Sequence, residues 1–201
     1  MLVKICGIQT VEHAKAAVAA GADLLGFVFA SSKRQVTAIQ ARDIISSLPD
    51  PVQTVGVFVN ETPERMQEIA QTAGLDYIQL HGDEAATVAE ALPYKIIKAF
   101  PVTEETLPII KDFPADYYIL DSPIGGARGG NGTVFDWDLA KDLPIDRDKI
   151  ILAGGLSPEN IKEAIKRLSP IGVDVSSGVE TDGVKDIYKI QQFIKNAKIT
   201  T

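Results

Sequence analysis

The reactive side chains of this sequence lie at a few positions where a charged or nucleophilic residue directly follows an apolar run. Cys6 closes the run Leu2-Val3-Lys4-Ile5 and is followed by Gly7. A lone cysteine is well explained as a small buried hydrophobe. Lys4, however, lies two residues earlier and so on the same side of an extended chain, where a cation would favour a thiolate able to take a proton. The other reading of Lys4 is an ion pair inside the fold, with Asp174 as its partner. Asp121 follows Tyr117-Tyr118-Ile119-Leu120. A carboxyl straight after a buried strand is costly unless it faces an opening or finds a partner. Desolvation there would raise its pKa towards that of a general acid working near neutral pH. Capping the following turn is the plainer alternative.

Two glycine-bearing turns come late in the chain: Ala153-Gly154-Gly155-Leu156 and Val175-Ser176-Ser177-Gly178-Val179. Glycine lets the backbone approach a ligand closely, and N–H groups at a helix start attract phosphate. Gly154, Gly155, Ser176, Ser177 and Gly178 are therefore candidate phosphate-binding residues, although a lone Gly-Gly would only shape a turn. Arg34, in Ser31-Ser32-Lys33-Arg34, is either a solvated surface charge or a cation at the site. His81, in Gln79-Leu80-His81-Gly82, is a candidate base or a hydrogen-bonded scaffold residue. The stretch from Ser122 to Gly132 holds five glycines and reads as a loop over the site, with Arg128 as its cation. Neither histidine has a metal-ligand partner at suitable spacing, so no metal and no cofactor are expected.

The elements that must position these residues alternate. β-branched runs at Leu2–Cys6, Asp23–Phe29, Val52–Val59, Asp76–Leu80, Lys95–Phe100, Tyr117–Asp121, Lys149–Ala153 and Ile171–Val175 predict eight strands. Helix signals fall between them. Thr37 and Gln40 form a capping box, and Thr62-Pro63-Glu64 and Ser157-Pro158-Glu159 each join a cap residue, a proline and an acid. Gly21 and Gly74 sit where glycine ends helices. The last helix is expected from about Val184 to Lys195, and no residue-level repeat is evident. Short strands each followed by a helix need parallel right-handed crossovers. Eight such units over residues 1–201 favour an α/β fold with a single (β/α)8 TIM barrel domain over an open sheet. The active site of such a barrel lies at the C-terminal ends of its strands, where Cys6, Asp121 and the two glycine turns fall.

Composition narrows the function classes. With 45% hydrophobic and 23% charged residues the chain is an ordinary globular one. Its formal charge of −7, without a basic stripe, argues against nucleic acid as a partner. The apolar run from Ala19 to Ala30 is interrupted by Gly21 and Asp23, so no membrane span is expected. The start, Met1 to Gly7, does not read as a signal peptide, and the single cysteine fits a reducing, cytoplasmic setting.

In their order, these residues resemble the phosphoribosylanthranilate isomerase family of tryptophan biosynthesis. The resemblance runs nearly end to end. It rests on Lys4-Ile5-Cys6-Gly7, Gly21-Ala22-Asp23, Gly26-Phe27-Val28-Phe29, Ser32-Lys33-Arg34, Val55-Gly56-Val57-Phe58-Val59-Asn60 and Gln79-Leu80-His81-Gly82. It continues through Leu120-Asp121, Gly132, Phe135-Asp136-Trp137, Gly154-Gly155-Leu156 and Asp174 to Glu180. The resemblance implies an Amadori rearrangement of a phosphosugar substrate, N-(5-phosphoribosyl)anthranilate, with Cys6 as base and Asp121 as acid. It further implies Arg34 near the anthranilate carboxylate, phosphate on the two late loops and Asp174 as an auxiliary polar contact, in a monomer or homodimer. The segment between Phe29 and Lys33 looks short for the family, and Asn131 stands where serine or threonine is usual. A histidine-pathway isomerase would be expected to use two aspartates and a half-barrel repeat. An indole-glycerol-phosphate synthase would need glutamates beside a lysine such as Lys98. A non-catalytic phosphate sensor would need neither Cys6 nor Asp121.

Overall fold

The computed structural model describes residues 1–49, 52–103, 105–122 and 145–199. Eight parallel strands close into a barrel in sequence order: β1 (Leu2–Cys6), β2 (Leu24–Val28), β3 (Gln53–Phe58), β4 (Tyr77–Leu80), β5 (Lys95–Pro101), β6 (Tyr117–Asp121), β7 (Ile150–Leu152) and β8 (Gly172–Val175). The helices between them are α1 (Val11–Ala20), α2 (Ala38–Ile45), α3 (Pro63–Ala73), α4 (Ala86–Glu90), α5 (Leu107–Ile110) and α6 (Ile161–Leu168), and α7 (Ile187–Ile199) ends the order. The barrel seam is made by β1 against β8, with Lys4 level with Asp174.

The alternation of side chains along each strand divides the apolar residues into two cores. Leu24, Val55, Tyr77, Ile97, Ala99, Ile119, Ile151 and Ala153 pack together inside the barrel. Val3, Ile5, Leu25, Ile78, Leu120, Leu152, Val173 and Val175 turn outward and pack with helix residues such as Ala17, Met66, Ile165 and Ile194. Lys4 and Cys6 share the inward phase of β1, as the sequence spacing predicts.

Helix ends follow the expected chemistry in most places. The Thr37–Gln40 capping box is formed at α2, and Thr62 caps α3 ahead of Pro63. Gly21 and Gly74 take left-handed conformations at φ 99° and 75°. Two expectations are corrected. Ser157-Pro158-Glu159 forms a turn in which Ser157 N–H donates to Asn160 Oδ1 at 2.8 Å, and α6 starts only at Ile161. The last helix starts at Ile187, because residues 180–185 form a hairpin of β9 (Glu180–Thr181) and β10 (Val184–Lys185). Asp182 and Gly183 turn it with φ of 52° and 80°. Asp-Gly is a strong hairpin signal, and here it outweighed the helical spacing of the residues that follow.

A short repeat is also present after all, on the face opposite the site. Asp23, Asp76 and Asp116 each precede an even-numbered strand, in Gly-Ala-Asp, Gly-Leu-Asp and Pro-Ala-Asp. Each carboxylate accepts from a backbone N–H of the preceding strand: Val3 at 2.7 Å, Thr54 at 2.8 Å and Ile96 at 2.8 Å. Each aspartate N–H in turn donates to the carbonyl of that same residue. The clamp thus joins strands one βα unit apart where no side chain touches the site. Asp76→Ala should leave the buried Thr54 N–H without a partner and cost about 1–3 kcal/mol. In thermal unfolding this should appear as a Tm lower by roughly 2–4 °C per kcal/mol, with the active-site cavity unaltered.

Candidate active site

A cavity of about 150 Å³ opens at the C-terminal ends of the strands. Nine of the residues singled out from the sequence line it: Cys6, Arg34, Asp121, Gly154, Gly155, Asp174, Ser176, Ser177 and Gly178. Val28, Val57, Gln79 and His81 add to its wall.

Cys6 sits above a buried charge. Lys4 is fully buried, and its Nζ pairs with Asp174 Oδ1 at 3.1 Å. Room for this arrangement comes from Gly26, where a Cβ would come within 2.9 Å of Cys6 Sγ and 3.1 Å of Lys4 Nζ. Burial works to lower the Lys4 pKa, but Asp174 and Cys6 outweigh it and the net shift is upward. For Cys6 the balance runs against the expectation from sequence. Lys4 does favour the thiolate, and so does Lys185, yet burial and the Asp174 charge dominate and the thiol is pushed up. Near a fixed ammonium alone the sulfur would ionise easily; enclosed with a neutralising carboxylate it does not.

Asp121 is held on both oxygens. Oδ1 accepts from the Ser122 N–H at 2.8 Å, the turn-capping contact. Oδ2 faces His81 Nε2 at 3.5 Å. His81 Nδ1 lies 2.9 Å from Gln79 Nε2. The Gln79 contact orients the imidazole with Nε2 towards Asp121. The ring's hydrogen bond is to Gln79, in keeping with the scaffold alternative, and Asp121 stands beside it. Gln79 Oε1 is buried without a hydrogen-bond partner among the described residues. Arg128, the rest of the glycine-rich stretch from 123 on, and Phe135-Asp136-Trp137 lie outside the described residues.

The two late loops lie backbone against backbone. Gly154 and Gly155 have φ of 77° and 63°, and a Cβ on Gly154 would run into Ser122. A Cβ on Gly178 would overlap the Leu156 carbonyl. Asn160, overlooked in the sequence, fixes the first loop by donating from Nδ2 to the Gly155 carbonyl at 2.8 Å. Among the described residues, the backbone N–H groups of Gly155, Ser177 and Gly178 donate to no other protein atom. Because α6 begins at Ile161, the amides left available here belong to these loops rather than to a helix N-terminus at Ser157.

Arg34 is nine-tenths buried rather than a solvated charge. Its Nε and Nη2 donate to Glu180 Oε1 and Oε2 at 2.6 and 2.9 Å. Burial pushes the Glu180 carboxyl up, but hydrogen bonds from Arg34 and Lys185 prevail and hold its pKa down, at about 2. From the sequence, Glu180 entered only as the end of the Asp174–Glu180 stretch and Lys185 not at all, neither as a site residue; the Asp182-Gly183 turn that brings them together was the available signal. A second buried pair, Lys98 Nζ to Glu84 Oε2 at 2.9 Å, braces the turn after β4, where Glu84 accepts from the Asn60 and Gly82 N–H groups. Lys98 is thus engaged in scaffolding the His81-Gly82 turn.

Comparison with known proteins agrees with this geometry. The family model described as N-(5′-phosphoribosyl)anthranilate isomerase matches residues 3–196. The chain is 52% identical to the N-(5′-phosphoribosyl)anthranilate isomerase of Oceanobacillus iheyensis, over 98% of this chain and 97% of that one. It superposes on the phosphoribosyl anthranilate isomerase of Thermus thermophilus with a TM-score of 0.90 at 38% identity, covering 100% of both chains. A further phosphoribosyl anthranilate isomerase structure, in complex with reduced 1-(o-carboxyphenylamino)-1-deoxyribulose 5-phosphate, is similar at a TM-score of 0.83 and 40% identity over 98% of both chains.

The upward-shifted thiol gives a direct check, since the chain has a single cysteine. A pH titration of thiolate absorbance in the unliganded protein should give a midpoint above about 8.5, the ordinary thiol value. Lys4→Met removes a cation that favours the thiolate and should move the midpoint further up. A midpoint at or below the ordinary value would contradict the electrostatic balance described here.

Proposed function

The chain belongs to the N-(5′-phosphoribosyl)anthranilate isomerase family, and from that premise we propose how its residues carry out the reaction. It is an enzyme of tryptophan biosynthesis, converting N-(5-phosphoribosyl)anthranilate to 1-(2-carboxyphenylamino)-1-deoxyribulose 5-phosphate by an Amadori rearrangement.

In our reading Asp121 is the general acid and Cys6 the general base. Asp121 gives its proton to the furanose ring oxygen, the ring opens, and the nitrogen lone pair forms an iminium ion at the first sugar carbon. That positive charge acidifies the proton on the second carbon. Cys6, as thiolate, removes it to give an enolamine, which tautomerises to the ketone. A group that must be protonated and one that must be ionised can work together because their surroundings differ. The thiol's upward shift in the unliganded site is opposed once the iminium forms, since a cation beside sulfur favours the thiolate. The observation that carries this reading is that Cys6 and Asp121 end different strands on a single cavity that both glycine-bearing loops also line.

Arg34 recognises the anthranilate carboxylate, and the amides around Gly154, Gly155, Ser176, Ser177 and Gly178 hold the phosphate. Asp174 acts from below, as the partner of Lys4 and a secondary polar contact. No group of three or more His, Cys, Asp or Glu side chains able to hold a metal occurs among the described residues. The proton transfers above use side chains alone. The nine proposed site residues all lie in this chain, which supports residues 1–201 acting as one domain, in a monomer or homodimer. No helix among the described residues is long and apolar enough to cross a membrane, which fits a cytoplasmic enzyme.

Purified protein mixed with freshly made phosphoribosylanthranilate should extinguish the substrate's fluorescence at a rate proportional to enzyme. Asp121→Asn preserves shape but cannot deliver a proton, so turnover should fall at least about 100-fold. A folded Asp121→Asn protein turning over at the wild-type rate would remove Asp121 from the acid's role.

A further inference from the structure

The segment Glu180-Thr181-Asp182-Gly183-Val184-Lys185 is built as a two-residue hairpin, with positive φ at both Asp182 and Gly183. That turn sets Glu180 directly opposite Lys185 in the ladder. Lys185 Nζ donates to Glu180 Oε1 at 2.8 Å and to the Ser176 carbonyl at 2.9 Å, and it lies 3.4 Å from Ser176 Oγ. Ser176 Oγ in turn donates to the Cys6 carbonyl at 3.2 Å. On its other side Glu180 receives the Arg34 guanidinium through two parallel hydrogen bonds. The stem of Arg34 lies in a slot left by Gly7, where a Cβ would come within 2.6 Å of Arg34 Cδ and 3.3 Å of Ser176 Oγ. One carboxylate therefore ties Arg34, by way of Lys185, to the loop of Ser176, Ser177 and Gly178.

Resting on the reading of the site given above, we propose that Glu180 and Lys185 are positioning residues for substrate binding. They form a strut that fixes the carboxylate-recognising Arg34 relative to the phosphate-recognising loop before the substrate arrives. Neither is placed to bind the substrate itself. Glu180 would repel a molecule that is anionic at both ends, and the three protons of the Lys185 ammonium face Ser176 O, Ser176 Oγ and Glu180. Stability alone does not account for the arrangement. Side chains only 3% and 5% exposed must be stripped of water to form this pair, and apolar residues of similar size usually serve stability as well. What charge adds is direction: the parallel hydrogen bonds lock the plane of the guanidinium, and a preset distance between two anion sites spares the ordering that binding would otherwise require.

The test is steady-state kinetics on the full chain for wild type, Glu180→Gln, Lys185→Met and the double variant, with folding checked by thermal melts. Glu180→Gln keeps the shape and removes the charge, so KM should rise at least about 10-fold with kcat within about threefold, the mark of lost binding rather than lost chemistry. Lys185→Met keeps the apolar stem and should raise KM in the same direction. The double variant should be no worse than about the weaker single one, because both residues act through one unit. A merely structural role would lower Tm and the amount of active protein while leaving KM where it was. KM within about twofold of wild type in both folded single variants, or a fall in kcat at unchanged KM, would overturn the strut. Should Glu180→Gln not fold, Lys185→Met carries the same comparison. Absence of turnover in the wild-type chain would instead overturn the reading of the function on which the strut rests.

Discussion

An ammonium enclosed by the barrel and answered by one aspartate is the constraint around which the catalytic end is arranged. Lys4 cannot reach water, so Asp174 must stay beside it, and the pair joins the first strand to the last across the seam of the barrel. An isolated buried charge would be far too costly to keep, and removing either partner of such a pair typically costs about 3–5 kcal/mol. The same pair sets the electrostatics of Cys6, one step further along the strand. The ammonium draws the thiol towards ionisation, while the carboxylate and the dry surroundings hold it back. The unliganded surroundings thus shift the sulfur towards the thiol, and in the proposed reaction the iminium that forms at the first sugar carbon opposes that shift.

Anion recognition in a chain of net charge −7 follows a related economy of cations. In the proposed reading the phosphate is held by backbone N–H groups, which carry no net charge and need no counter-ion. Glycine is required where one loop crosses the other, since a side chain at Gly178 would strike the Leu156 carbonyl. Two buried cations near the mouth, Arg34 and Lys185, are shared with Glu180 rather than left bare. Binding groups are thus pre-set at the top of the barrel, while the aspartate clamps at Asp23, Asp76 and Asp116 hold the strands together at the bottom. Stability and function are borne by opposite faces of the same strands.

Much of this arrangement was legible in the sequence because strand ends in a barrel are informative. Each predicted strand overlaps an observed one, and the residues closing β1, β6, β7 and β8 converge on one cavity. Three features near the site were misread. The Asp182-Gly183 turn was hidden by helical spacing further on, and with it went Glu180 and Lys185, whose pairing depends on the hairpin register. The proline at 158 suggested a helix start, but Asn160 draws the Ser157 N–H into a turn first. The pull of Lys4 on Cys6 was read with the right sign but the net shift of the thiol was not, since spacing reveals a neighbouring cation but neither the depth of burial nor the compensating charge from a strand 170 residues away.

The central claim is that sulfur at position 6 removes the proton from the second sugar carbon. Single-turnover conversion of phosphoribosylanthranilate by Cys6→Ser tests it most directly, because one atom changes and the pocket keeps its size. A hydroxyl is scarcely ionised at neutral pH, so the account predicts loss of most of the rate with substrate affinity nearly intact. Near-normal conversion by the folded variant would contradict it and would turn attention to His81, the other titratable group on the cavity wall within reach of Asp121.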